Sequence, residues 1–243
     1  PQAQIYITGC ASFDKIKNLP NITLFKNNQK EDLLNHLKSL YTPNIKDKFS
    51  HTHRYLLKVQ SGCSQFCSYC IVPFKRDYLW SLNINDAVDT VKKAVDNGYK
   101  EIIITGVNLD QYKYGFSNLV EALLKETDIQ LISFGSIPVN CIDQKFLDLL
   151  STFNFRLSNF LHIPIQSGSD KILQLMNRNY SKSNILEKFR NLKLEIRNLK
   201  LGTDIIVGFP TETDQDFQET LDLCQQIGFT KIHAFPFSPR PNT

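Results

Sequence analysis

Apolar positions along this chain switch repeatedly between a two-residue and a helical period. Short runs rich in β-branched and aromatic residues predict six strands, at 55–60, 101–105, 129–134, 159–163, 201–207 and 230–235. Amphipathic stretches between and after them predict helices at 86–97, 117–126, 143–151, 170–177, 183–198 and 213–227. Asn85 reads as a helix cap and Gly98 as a helix stop. Thr213 reads as the cap of the helix that carries Phe217, Leu221, Cys224 and Ile227. Strands alternating with helices imply βαβ units with right-handed crossovers and a parallel sheet. The α/β architecture is then either a doubly wound sheet or an incomplete (β/α) barrel. In both, the chemistry lies in loops at the carboxyl ends of the strands.

Residues 1–50 pattern differently. They predict strands at 4–8 and 22–25, a helix at 31–40 and a polar linker at 42–50 that contains Pro43. Two strands and one helix bury little core by themselves, so this stretch reads as the tail of a second α/β domain, with the main domain at 51–243.

The chain has 243 residues, 42% of them apolar and 21% charged, with 10 Gly and 10 Pro, which excludes collagen-like and disordered classes. No run reaches the roughly 18 apolar residues of a membrane span, and residues 1–9 do not read as a signal peptide, so a cytoplasmic chain is expected. A net charge of +4 permits contact with phosphates without requiring it.

Of six cysteines, three fall in one eight-residue stretch, Cys63-Ser-Gln-Phe-Cys67-Ser-Tyr-Cys70, directly after the first strand of the main domain. A structural zinc site usually combines two short cysteine knuckles, and no second knuckle exists here. Three thiolates on a cubane iron–sulfur cluster leave one iron open, which is useful only where another molecule binds it. A zinc knuckle or buried free thiols are the simpler alternative. Cys141 and Cys224 read as core residues, and His36, His51 and His53 as solvated. Lys46, Lys48 and Arg54 are either phosphate contacts or solubilising charges.

The cysteine loop, with Tyr69 at its aromatic position, resembles the signature of radical S-adenosylmethionine (SAM) enzymes. In these, the open iron of a 4Fe-4S cluster is chelated by SAM, and an electron from the cluster cleaves the sulfonium. The resemblance implies a partial (β/α)6 barrel of the TIM type with parallel strands, preceded here by the tail of an α/β N-terminal domain. Further segments occur in the order found in methylthiotransferases: Ile104-Thr-Gly-Val-Asn108, His162-Ile-Pro-Ile-Gln-Ser-Gly-Ser-Asp170 with Met176-Asn-Arg178, Thr203-Asp-Ile-Ile-Val-Gly-Phe-Pro210 and Phe237-Ser-Pro-Arg240. The resemblance implies Cys63, Cys67 and Cys70 as cluster ligands and catalytic residues. It makes Tyr69, Gly106, Asn108, Gln166, Ser167, Ser169, Arg178 and Asp204 cofactor-binding residues. Taken alone, Gln166-Ser-Gly-Ser169 reads as an ordinary strand-to-helix turn with Ser169 as its cap, and Arg178 either balances a carboxylate or is solvated at a helix end.

Ile7-Thr-Gly-Cys10 resembles the third cysteine motif of the family's N-terminal domain, so Cys10 would serve a second, auxiliary cluster if the preceding cysteines exist. Implied partners are tRNA, an electron donor such as flavodoxin or ferredoxin, and a sulfur donor, with no membrane. Phe235-Pro-Phe-Ser and Arg240 most resemble the branch that methylthiolates carbon 2 of N6-threonylcarbamoyladenosine beside the anticodon, with Arg240 on the substrate carboxylate. The sister activities on isopentenyladenosine or a ribosomal-protein aspartate, and a non-catalytic cluster-binding fragment, are the alternatives. Both ends look truncated relative to the family. The run Lys75–Ser81 lacks the family's glycine and most of its basic residues, Pro138 interrupts a segment where an acidic residue is expected, and Thr211 replaces a usual glycine.

Overall fold

The computed structural model describes residues 4–8, 21–26, 29–40, 54–76, 78–196, 198–241 and 243. Strands β1 (Ile5–Thr8) and β2 (Ile22–Phe25) form a parallel pair, followed by helix α1 (Lys30–Leu40). The main domain begins with β3 (Arg54–Lys58), then β4 (Gln60–Ser61), α2 (Val72–Lys75), β5 (Trp80–Ser81) and α3 (Ile84–Asp96). It continues through β6 (Glu101–Thr105), α4 (Phe116–Glu126), β7 (Leu131–Phe134), α5 (Gln144–Thr152) and β8 (Phe160–His162). The last elements are α6 (Asp170–Leu175), α7 (Lys182–Glu195), β9 (Lys200–Val207), α8 (Asp214–Ile227) and β10 (Lys231–Pro236).

All six predicted strands of the main domain are present and parallel, in two ladders, β3-β6-β7 and β8-β9-β10. Isolated bridges Ile132↔Leu157 and Ser136↔His162 join the two, so the strands run in chain order across one curved surface. Each strand alternates its faces. Ile102 and Ile104 of β6, and Leu201 and Ile205 of β9, are buried on the helix-covered side, while Glu101, Thr105, Asp204 and Ile206 lie on the inner side. The core between sheet and helices is apolar, with Phe116, Phe134 and Phe146 in mutual edge or tilted contact and Phe146 wholly buried. Burying one such ring contributes about 2–3 kcal/mol.

Element ends deviate from expectation for local reasons. The cap of α3 is Asn83 rather than Asn85: its side chain accepts from Asp86 N and its amide contacts the Asp86 carboxylate in return. Helices predicted to reach 177 and 198 stop at Leu175 and Glu195: Asn177 turns left-handed with a φ of 57°, and Ile196 is already extended before Asn198 turns left-handed with a φ of 66°. Thr213 caps α8 as expected, completing a reciprocal box with Asp216. Gly98 sits past α3 with φ 88°. Cys141 is buried and Cys224 packs half-buried against the core, also as expected. Exposed His36 sits against Tyr6, edge to face. Arg54 pairs with Glu101 at 2.8 Å. Cys10, Lys46, Lys48, His51 and His53 lie outside the described residues.

Thr211 has a φ of 70°, which a β-branched residue adopts only under constraint. Its carbonyl accepts from Lys171 Nζ at 3.0 Å, which helps hold the turn. Thr211→Gly is expected to raise the unfolding free energy by about 1 kcal/mol by relieving the left-handed penalty. Urea titration reads this directly, and an unchanged or lower midpoint would mean that the turn carries no such strain.

Candidate functional site

The cysteine loop leaves β4 at the carboxyl end of the sheet and is clamped on two sides. On the first side, the buried side chain of Gln60 accepts from the backbone N–H groups of Val107 and Asn108, at 2.9 and 2.8 Å. Its amide donates to the carbonyls of Ser61 and Gly62. One side chain therefore locks the start of the cysteine loop to the loop after β6. Gly106 makes room for this contact, since a Cβ there would lie 2.6 Å from Leu109 Cδ2 and 3.0 Å from Gln60 Cβ.

On the second side, the loop docks on the end of α6. Ser68 N and Oγ donate to the carbonyls of Met176 and Leu175, and Asn177 Nδ2 donates to those of Gln65 and Phe66. That clamp holds Phe66 at a φ of 50°. Beneath it, Ile172, Met176 and Phe209 form a small apolar cluster against which Tyr69, Ile206 and Phe237 pack.

A cavity of about 180 Å³ opens between these clamps, lined by Cys63, Cys67 and Cys70 together with Tyr69. Asn108, Gln166 and Arg178 complete its polar side, and Pro138 contributes to its wall. Asn108 Nδ2 lies 3.6 Å from Cys63 Sγ, and an Arg178 N–H donates to Cys67 Sγ at 3.4 Å. Arg178 is not solvated at a helix end. It is half-buried, stacks 4.9 Å from the Tyr180 ring centroid and donates to Tyr180 Oη at 2.7 Å. Burial works against its charge, but the Tyr180 and Tyr69 phenols and the Cys67 thiol hold the guanidinium protonated. Burial pushes the Tyr69 phenol far up, so it stays neutral.

The sulfurs set the chemistry. Burial pushes the Cys70 thiol up, the Val72 backbone N–H partly offsets this, and the neighbouring Cys67 and Cys63 push it up further. Three thiolates together in a half-buried cavity therefore need a cation to ionise them, with two donors already aimed at the sulfurs. This donor set fits a thiolate-ligated metal cluster.

Other residues expected at the site are placed elsewhere. Ser167 and Ser169 are buried with their hydroxyls turned to α8: Ser167 Oγ meets Thr220 Oγ1 at 3.2 Å and Ser169 Oγ donates to Asp216 Oδ1 at 2.8 Å. Ser169 occupies the cap position of α6 but makes no side-chain capping bond, because its hydroxyl is committed to Asp216. Asp204 holds Gln166 through its backbone carbonyl at 2.9 Å, while its carboxylate faces His162 and His233. Arg240 is exposed beyond β10. Sequence reasoning missed Gln60, Tyr180 and Asn177 as organisers of the site. A glutamine two residues before a glycine-cysteine step was the only local signal for the first.

Residues 57–224 match the Radical SAM superfamily. The chain belongs to this superfamily. Radical SAM proteins use a 4Fe-4S cluster and SAM, which accords with the thiol-lined cavity. Among curated relatives, the chain is 35% identical to a tRNA-2-methylthio-N(6)-dimethylallyladenosine synthase of Bdellovibrio bacteriovorus, over 77% of this chain and 42% of the relative. It is 37% identical to a threonylcarbamoyladenosine tRNA methylthiotransferase of Aquifex aeolicus, over 78% and 47%. The same activity is named for a Thermotoga maritima relative, 34% identical over 99% and 60%. The chain thus spans about half the length of the curated relatives it matches. The radical SAM fold is also seen in the Kitasatospora setae methyltransferase TsrM, with a TM-score of 0.62 at 15% identity, covering 75% of this chain and 36% of that one. Escherichia coli coproporphyrinogen III oxidase matches with a TM-score of 0.55 at 18% identity, over 77% and 45%. These likenesses support the partial barrel.

Proposed function

We propose that this chain is the catalytic core of a tRNA methylthiotransferase, with residues 51–243 forming the radical SAM domain and residues 1–50 the end of a preceding domain. The observation that carries this reading is the convergence of Cys63, Cys67 and Cys70 on one cavity, with Asn108 and Arg178 donating to two of the three sulfurs. The names of the relatives support the substrate class. Cys63, Cys67 and Cys70 would hold the cluster, which supplies one electron to bound SAM.

The chain's own residues do the positioning. Asn108 and Arg178 orient and partly neutralise the sulfurs, and Tyr69 closes the cavity as a neutral phenol. Gln166, held at φ 69° by its backbone bond to Asp204, offers its amide to the cavity. The buried Ser167–Thr220 and Ser169–Asp216 pairs stiffen the turn beneath it. Such pre-organisation supplies most of what a protein adds to cofactor chemistry.

The substrate form favoured here is N6-threonylcarbamoyladenosine. The Phe235–Arg240 segment ends the last strand, where a substrate base would meet the cofactor, and Arg240 offers a fork suited to a carboxylate. Among the described residues, no helix is long and apolar enough to cross a membrane.

The test places this region in its complete protein, supplies SAM and a reductant, and compares tRNAs carrying either modification. Reductive formation of 5′-deoxyadenosine and methylthiolation of the threonylcarbamoyl form are expected, with Arg240→Ala weakening that form selectively. Preference for the isopentenylated tRNA, or equal weakening of both, would transfer the assignment to the sister activity.

A further inference from the structure

A second group of ligand-type side chains lies on the inner face of the sheet, apart from the cysteine cavity. His162 of β8, Asp204 of β9 and His233 of β10 come from three adjacent strands. Strand register puts them together. His233 is the direct partner of Asp204, whereas His162 is the partner of Gly202, two residues before Asp204 on the same face. His162 Nε2 lies 2.9 Å from Asp204 Oδ1, and His233 Nδ1 lies 3.1 Å from the same oxygen. One ligand atom from each residue falls within 4.8 Å of the other two.

The surroundings are shaped to this arrangement. Gly202 leaves the space that the His162 ring fills, since a Cβ there would stand 2.7 Å from His162 Nδ1 and 2.8 Å from Phe160 Cζ. Both hydrogen bonds of the Asp204 side chain converge on Oδ1, so Oδ2 has no hydrogen-bond partner among the described residues. The side chains remain 14%, 22% and 42% exposed for His162, Asp204 and His233, so the group is reachable from solvent. Phe160 and Phe235 flank it, with ring centroids 6.5 Å from His162 and 6.3 Å from His233.

We propose that His162, Asp204 and His233 bind one divalent cation of the zinc class. Two imidazoles and one carboxylate form a donor set suited to zinc, iron(II) or nickel(II), and they leave coordination positions open. Ligand atoms on a tetrahedral zinc stand about 3.3 Å apart at bond lengths near 2.0–2.1 Å. The separations of 2.9 and 3.1 Å reach that value with shifts of a few tenths of an ångström, and the two imidazole nitrogens, within 4.8 Å of each other, close by up to about 1.5 Å. The cation would take the place of the two imidazole protons that now face Oδ1, and would tie the carboxyl end of β8 to the middle of β9 and β10. Its open positions would face the inner side of the sheet. None of the three residues lines the cysteine cavity, although the Asp204 backbone carbonyl accepts from the backbone N–H of Gln166, which does.

The experiment uses zinc as the probe and two backgrounds: protein with its cluster loaded, and Cys63→Ala/Cys67→Ala/Cys70→Ala protein that offers zinc no thiolate there. After chelator treatment, equilibrium dialysis against zinc and elemental analysis should find one zinc per chain in both. His233→Ala, at an exposed edge strand, and isosteric Asp204→Asn should each lower zinc affinity by about tenfold or more. Zinc should raise the melting temperature of the parent protein and leave that of His233→Ala unmoved. X-ray absorption at the zinc edge should show nitrogen and oxygen neighbours without sulfur. Absence of zinc from both backgrounds, undiminished binding by His233→Ala, or sulfur in the zinc shell would each overturn the proposal.

Discussion

Iron content is expected to fall from about four atoms per chain to less than one when Cys67 and Cys70 are both replaced by alanine. Cys67 is the most buried of the three loop cysteines, and its sulfur is the one that Arg178 addresses. Removing it strips the cavity of a ligand and leaves a half-buried guanidinium facing an alanine methyl, so the site loses both metal affinity and its charge balance. Ionising Cys70 is costly, because burial and its neighbours push its thiol up. Without a cluster to ionise them, these thiols have no reason to share one cavity. The matched control is Cys141→Ala. Cys141 is buried in the main core, and burial pushes its thiol far up, so it is a packing residue that leaves iron binding intact. Anaerobic reconstitution followed by iron and sulfide analysis gives the answer. Retention of four irons by the double variant, or their loss from Cys141→Ala, would break the assignment of the cavity.

What the sequence disclosed depended on whether the signal was periodic or spatial. The parallel strands were legible where a run of apolar residues is covered by an amphipathic helix, as with Ile102 and Ile104 before the Leu119, Val120 and Leu123 face of α4, whereas β10, with no buried residue, was read from its β-rich run alone. The cysteine loop was legible because its three ligands are close in sequence. The β4–β5 pairing was not, since two-residue strands have no period to detect. Residues 108 and 178 were named from their segments, but what they do was hidden. Only the folded chain shows Asn108 and Arg178 meeting sulfurs 45 and 111 residues away. The serines of the 166–169 turn have partners that the sequence does not display. A polar turn at a strand end suggested ligand contacts, yet two buried hydroxyls need partners, and α8 supplies them through Thr220 and Asp216. Asp204 was singled out alone because His162 and His233 lie 42 and 29 residues from it and become neighbours only through strand register.

Gly62→Ala is expected to cost well over 2 kcal/mol of stability and to impair cluster loading, although it changes no ligand. Gly62 has a φ of 83°, where an L side chain pays about 1–2 kcal/mol. Space adds a second cost. A Cβ on Gly62 would stand 2.0 Å from the carbonyl oxygen of Tyr78 and 3.1 Å from Leu79 Cα, both backbone atoms that no rotamer change can move. The backbone leading into β5 crosses there, held by the pairs Gln60↔Ser81 and Ser61↔Trp80 that follow it. Relief therefore requires either breaking this pairing or displacing the Gly62 carbonyl from Gln60 Nε2, at 2.8 Å. Either movement is transmitted at once to Cys63, the next residue in the chain, and overpacking of this kind costs about 1–3 kcal/mol further. Gly98→Ala separates the two contributions: Gly98 has a similar φ of 88° but nothing within 4 Å of its added Cβ, so it pays the conformational cost alone. Denaturant titration should therefore rank Gly62→Ala below Gly98→Ala, with lowered iron content only in the former. Equal stability of the two variants, with full iron in both, would mean that the crossing strand yields and does not set the position of the cysteine loop.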